Sequence, residues 1–377
     1  MAGRHAARAQ ARTTESTGAL SRRTFLGVVA GSSAVIAFGS LGGRAAATSS
    51  PVLYFSAAQL AALPSSGPGW DYVRKVGSTD YGPIDLSDMD SFKPSQLMGA
   101  AVLATLGAGG IGRAKIVSRL HEAIGTENAT ASPKDFYRNI SAFLQTAALV
   151  DYDLTGWAGA ILSRGYGTGA HPKWDQIQEC ARVAGHNFGG YARASLAAIG
   201  AYLGDAALLA EAAEYTAQWT GQRPAQFVPT SGFKDSLTVG AYPGGQGTIN
   251  PPTADWRNGI NVEDGGRGLS SGRPSGPGIT YQEGCLEAQL STALVLFQNG
   301  YPDVFAWGEG ALLRNAQSVN MNWAAAAGNR QHIPHLLNAI YQPARRLPTQ
   351  AETKPGHSLG FGQWLASSDL VAGAGLA

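Results

Sequence analysis

His186-Asn-Phe-Gly-Gly-Tyr191-Ala-Arg-Ala-Ser-Leu196-Ala-Ala-Ile199-Gly-Ala-Tyr-Leu203-Gly-Asp205 is the stretch on which the fold turns. Leu196, Ile199 and Leu203 recur at the spacing of one helical face, and Gly204-Asp205 separates this helix from a second helical pattern over 206–220. Two helices joined by so short a turn form an antiparallel hairpin. Outward from here the same periodicity predicts helices at about 94–106, 113–124, 134–149, 173–185, 282–298 and 303–323. Ser56 is placed as the N-cap of an earlier one. Gly300-Tyr301-Pro302 marks another hairpin turn, and strand signals are weak throughout. No fixed-period repeat runs through the chain, so a closed, all-α ring of helical hairpins is expected rather than a regular solenoid.

Composition narrows the class. Of 377 residues, 44% are hydrophobic and 14% charged, which excludes global disorder. The formal charge of +2 hides a split: residues 1–47 carry six Arg against Glu15 alone, leaving 22 basic and 25 acidic residues beyond, a net of −3. A slightly acidic body argues against nucleic acid as a partner. Ser21-Arg22-Arg23-Thr24-Phe25-Leu26 is the twin-arginine pattern, and Ala45-Ala46-Ala47 offers a cleavage site. The apolar run after it, about 17 residues diluted by Gly and Ser, falls short of the ~20 that a membrane span needs. Residues 1–47 are therefore expected to be an export signal and 48–377 a single secreted domain, with no membrane attachment after cleavage and as a monomer. Cys180 and Cys285 fall in Ala- and Leu-rich helical segments and are expected as buried thiols.

Between 231 and 280 the periodicity disappears, and 17 of 50 residues are Gly or Pro. Tyr242, Trp256, Arg257, Arg267 and Arg273 punctuate it, so it reads as long active-site loops rather than a bare linker.

Four clusters carry potential chemistry. Glu179 and His186 lie seven residues apart, on one face if a helix runs unbroken between them. Arg273 precedes Tyr281-Gln282-Glu283, where the Gly-rich region re-enters a helix. Arg138-Asn139 interrupts an otherwise apolar helix, and a buried charge must be paired or face a cavity. His332 and His335 follow Trp323, but Pro334 between them is expected to break the helical spacing of a metal motif, and no third ligand completes a set. No metal or cofactor is expected.

Taken in order, these stretches resemble the alginate-lyase-like superfamily of helical-toroid polysaccharide lyases, nearest to polysaccharide lyase family 38. The resembling landmarks are Leu60-Ala-Ala-Leu-Pro-Ser-Ser-Gly-Pro-Gly-Trp70, Arg138-Asn139, Asn187-Phe188-Gly189 with Ala198–Asp205, Tyr281-Gln-Glu283, Ala311-Leu-Leu-Arg314, Pro334–Asn338 and Gly356–Trp364. The resemblance implies an (α/α) toroid, an incomplete barrel of helical hairpins, and cleavage of a 4-linked polyuronate such as glucuronan or mannuronate-type alginate by β-elimination. In that chemistry the uronate carboxylate is neutralised, a base removes the C5 proton, and an acid protonates the departing O4. The resemblance makes Tyr281 the acid/base, His186 a second base or neutraliser, and Arg273 the cation that lowers the tyrosine pKa. Asn187, Asn139 and Arg138 would hold the carboxylate, Glu179 would orient His186, and Tyr191, Trp323 and His335 would line the substrate site. An anionic polysaccharide is the expected partner. A toroid glycoside hydrolase drawing on Glu179, Glu263, Asp264 or Glu283 is the alternative enzyme, and a non-catalytic carbohydrate-binding protein of the same fold is the alternative outside enzymes.

Overall fold

A computed structural model describes residues 51–129, 133–164, 176–184, 187–223, 269–270, 273–274, 277–317, 330–367, 371 and 374–375. Thirteen α-helices are assigned among them. The first six are α1 (Ala57–Ala61), α2 (Pro68–Gly77), α3 (Lys93–Thr105), α4 (Arg113–Ala123), α5 (Pro133–Leu149) and α6 (Thr155–Ser163). Next come α7 (Ile177–Val183), α8 (Asn187–Leu203), α9 (Ala206–Thr220) and α10 (Pro277–Gln298). The last are α11 (Trp307–Ala316), α12 (His332–Tyr341) and α13 (Gly362–Leu365). Two two-residue strands, β1 (Leu269–Ser270) and β2 (Arg273–Pro274), pair antiparallel, with Leu269 opposite Pro274. The class is all-α.

Helix α8 is the centre. It is buried from Asn187 to Ala201 and packs against α5, α6, α7, α9 and α10. Its Ala- and Gly-rich sequence permits this, because small side chains let several helices approach one axis. The α8–α9 hairpin forms as its sequence dictates: Gly204 takes a left-handed turn (φ 65°), and the Asp205 carboxylate accepts from the N–H groups of Ala207 and Leu208, capping α9. Ser56 likewise forms a capping box with Gln59 at the start of α1.

The last described helix returns to the first ones. α13 packs on α2, where Trp70 and Trp364 meet at 5.4 Å between centroids, and the Trp364 indole donates to Pro64 O. Tyr54 donates to Ser358 O, and Ser95 donates to His357 O. The Ser95 bond places His357 beside α3, and the hydroxyls of Ser358 and Ser291 meet at 2.8 Å, which places the segment beside α10.

Three sequence expectations are corrected. The helix placed at 173–185 is assigned only from Ile177 to Val183, and Ala184 is extended (φ −98°, ψ 114°). Of the helix placed at 303–323, residues 318–323 lie outside the described residues, and the rest is a short 3₁₀ turn, Val304–Ala306, followed by α11, whose residues Gly308, Glu309 and Gly310 are left-handed. Pro334 does not break a helix: it lies in the first turn of α12, where a missing N–H has no intrahelical partner to lose. Cys180 and Cys285 are buried thiols with no disulfide between them. Among the described residues no helix is long and apolar enough to cross a membrane.

Candidate functional site

Helices α5, α8 and α10, the residues leading into α12 and the 356–358 segment converge on a polar cluster inside the apolar core. Its centre is Glu287 on α10, fully buried. Glu287 Oε1 accepts from Ser358 N–H (2.8 Å) and Ser358 Oγ (3.2 Å); Oε2 accepts from Arg330 Nε (3.2 Å) and Tyr191 Oη (3.5 Å). One helical turn earlier, Glu283 Oε2 accepts from Arg330 Nη1 at 3.3 Å. Arg330 therefore joins two carboxylates of one helix.

Above Tyr191 lies Arg138. Its guanidinium carbon is 5.2 Å from the ring centroid, a cation–π arrangement, and Nη1 donates to Met89 O. Arg138 is 6% exposed, its Nε is buried without a hydrogen-bond partner, and no carboxylate among the described residues pairs with it. Beside it, Asn139 donates to the carbonyls of Leu86 and Asp88. His357 meets the Tyr191 ring edge-on, stacks on Phe92 and donates from Nδ1 to Ser91 O.

The electrostatics follow from burial. It pushes the Tyr191 hydroxyl up, reinforced by the charge of Glu287. Burial lowers His332 to about 4 and His357 to about 3, only partly opposed by Glu287, so both imidazoles are neutral near neutral pH. Burial works against the Glu287 carboxylate, but its interactions with His332, Arg330 and His357 and the Ser358 N–H outweigh it and hold it below the usual carboxylate range. With both imidazoles neutral, Arg330 is the permanent cation that holds Glu287 ionised. Glu283 is raised by burial, which Arg330 offsets only in part.

The tight approach of α7 to α8 has a visible cause. Arg193, fully buried on α8, donates Nη1 to the carbonyls of Ala181 and Ala184, capping the end of α7. A Cβ on Gly189 would collide with Ala184 O, so only glycine allows this contact.

The candidate residues from sequence divide clearly. Arg138 and Tyr191 belong to the cluster; Asn139 is adjacent and fully buried, and Asn187 is fully buried as the first residue of α8. For Glu179 no unbroken helix runs on to His186, because α7 ends at Val183, and its carboxylate accepts from Arg182 Nε (2.9 Å) and Nη2 (2.7 Å). His335 points elsewhere, with Nε2 on Gln350 O at 2.9 Å. Tyr281 lies on α10 two residues before Glu283, and Arg273 on β2, but their side chains, like His186, Trp323 and Arg267 altogether, lie outside the described residues. Sequence reading missed Glu287, Arg330 and the role of His357. A glutamate in the Leu/Ala-rich α10, four residues after Glu283, carried the same signal that singled out Arg138. No three His, Cys, Asp or Glu side chains converge as a metal site among the described residues. Comparison with known protein families, with curated proteins and with solved structures gives no match.

Proposed function

We propose that the chain is a secreted polysaccharide lyase that cleaves a 4-linked polyuronate by β-elimination on an (α/α) toroid, exported by the twin-arginine route. The observation that carries this reading is Arg138: a buried guanidinium beside Tyr191 with an open Nε and no carboxylate partner among the described residues. An uncompensated buried cation is costly unless an anion completes it, and a uronate carboxylate has the required charge and planar geometry. Neutralising that carboxylate acidifies the C5 proton, and Tyr281, in the early part of α10 that leads to Glu283, is the group assigned to move it onto O4. The toroid is supported by the α8–α9 hairpin and by the return of α13 to α2.

The hydrolase alternative finds less support. It needs two carboxylates flanking a glycosidic bond. Glu179 is engaged by Arg182, Glu283 shares Arg330 with Glu287 on the same helix, and Glu263 and Asp264 lie outside the described residues. The test is a panel of glucuronan, mannuronate-rich and guluronate-rich alginate and a neutral glucan, followed by the ultraviolet absorbance of the conjugated unsaturated uronate. Absorbance should rise with a polyuronate and stay flat with the glucan; new reducing ends without it would sink the lyase reading.

A further inference from the structure

Arg330 joins two carboxylates whose surroundings differ. Glu287 is fully buried and receives Ser358 N–H, Ser358 Oγ and Tyr191 Oη besides Arg330, so its position is fixed from three segments. For Glu283, Arg330 is the side-chain partner that the described contacts show, at 3.3 Å, beyond the about 2.7–2.9 Å of a strong charge-assisted bond. The Glu283 and Arg330 side chains also retain 9% and 10% exposure, against none for Glu287. Between them α10 carries Gly284. A Cβ there would sit 3.4 Å from Tyr191 Oη and 3.5 Å from Arg330 Nη2, so a hydroxyl and a guanidinium converge beside this glycine.

We infer that Arg330 is a second substrate-carboxylate ligand, and that Glu283 occupies its outer face as an internal stand-in which a uronate carboxylate displaces. The inference rests on the polyuronate reading and extends it from Arg138 to Arg330. Glu287 remains bound throughout, keeping the fork in place beside Gly284. The exchange conserves charge pairing: one carboxylate leaves Arg330 Nη1 as another arrives. An uncharged sugar offers nothing to replace Glu283 and gains nothing from the site, so the arrangement selects for acidic residues.

The test is calorimetric binding of an oligoglucuronate, and of the same oligomer with its carboxyl groups reduced to alcohols, to the full chain and to Glu283→Gln, Arg330→Lys and the double variant. Glu283→Gln should bind the acidic oligomer about fivefold or more tightly, since a weak internal competitor is gone, and the neutral one unchanged. Arg330→Lys, which loses the fork, should weaken acidic binding about tenfold or more. In the Arg330→Lys background the Glu283→Gln gain should vanish, which separates exchange at Arg330 from general loss of negative charge. Unchanged or weaker binding by Glu283→Gln, a gain that persists beside Arg330→Lys, or no binding by the unaltered chain would each overturn the inference. Where Arg330→Lys does not fold, Glu283→Gln decides alone, by tightening for the acidic oligomer and not for the neutral one. Acidic binding with these shifts but no unsaturated product from any polyuronate would remove the lyase reading and leave the exchange standing. Normal product formation with an unresponsive Glu283→Gln would do the opposite.

Discussion

The guanidinium of Arg138 lies over the ring of Tyr191, 5.2 Å from its centroid, and no carboxylate among the described residues pairs with it. A charge kept in that state destabilises the fold unless an anion arrives. Arg138→Met removes the charge and keeps much of the stem's packing. It should lower kcat/KM on a polyuronate by about 10- to 100-fold, the worth of a hydrogen bond to a charged group, while the melting temperature holds or rises. A packing role predicts the reverse: a lower melting temperature and near-normal turnover in the folded fraction.

Tyr281→Phe deletes only a hydroxyl. If that hydroxyl moves the proton, kcat should fall by about 10²–10⁴-fold, with KM within a few-fold and an unchanged melting temperature. Retention of more than about a tenth of kcat would remove Tyr281 from the chemistry.

Gly189→Ala tests the α7–α8 junction. The added methyl meets Ala184 O, which Arg193 also holds, so the backbone must separate. We expect a loss of about 1–3 kcal/mol, the usual cost of overpacking, read by thermal or denaturant unfolding. Activity should fall further than stability explains, because the displaced junction leads directly into Asn187, the first residue of α8.

Glu352 gives a pH signature. Its carboxylate is buried, accepts from the N–H groups of Gly362 and Gln363, and is pushed by burial from 4.5 up to about 8. Between these values the unfolded chain has lost the proton and the folded chain keeps it, so this group's contribution to stability falls as pH rises through that window. Glu352→Gln keeps an acceptor without the charge. The difference in melting temperature between variant and parent should grow in the variant's favour from about pH 5 to about pH 8 and level off above. A difference independent of pH would contradict the assignment.

The sequence is legible where the interaction itself is local. The Ser56 cap, the Gly204-Asp205 hairpin and the charge inside α5 are each decided within a few residues. The Glu287 centre was not legible, because its partners come from 43 and 71 positions away, and only packing brings Arg330 and Ser358 to it. Pro334 looked like a helix breaker because its meaning depends on where the helix starts, and a first-turn proline is compatible with helix. Glu179 reads as a partner for His186 because seven residues span two helical turns, but Ala184 leaves the helix and Arg182 engages the Glu179 carboxylate.

The most direct test of the account is to run the reaction on a polyuronate in heavy-oxygen water and weigh the products. Elimination breaks the C4–O4 bond with loss of the C5 proton and takes no oxygen from solvent into the new ends. The account predicts unsaturated oligouronates without the heavy label, formed by the parent and formed about 10- to 100-fold more slowly by Arg138→Met. Saturated products carrying one solvent oxygen at each new reducing end would mean hydrolysis, and would contradict it.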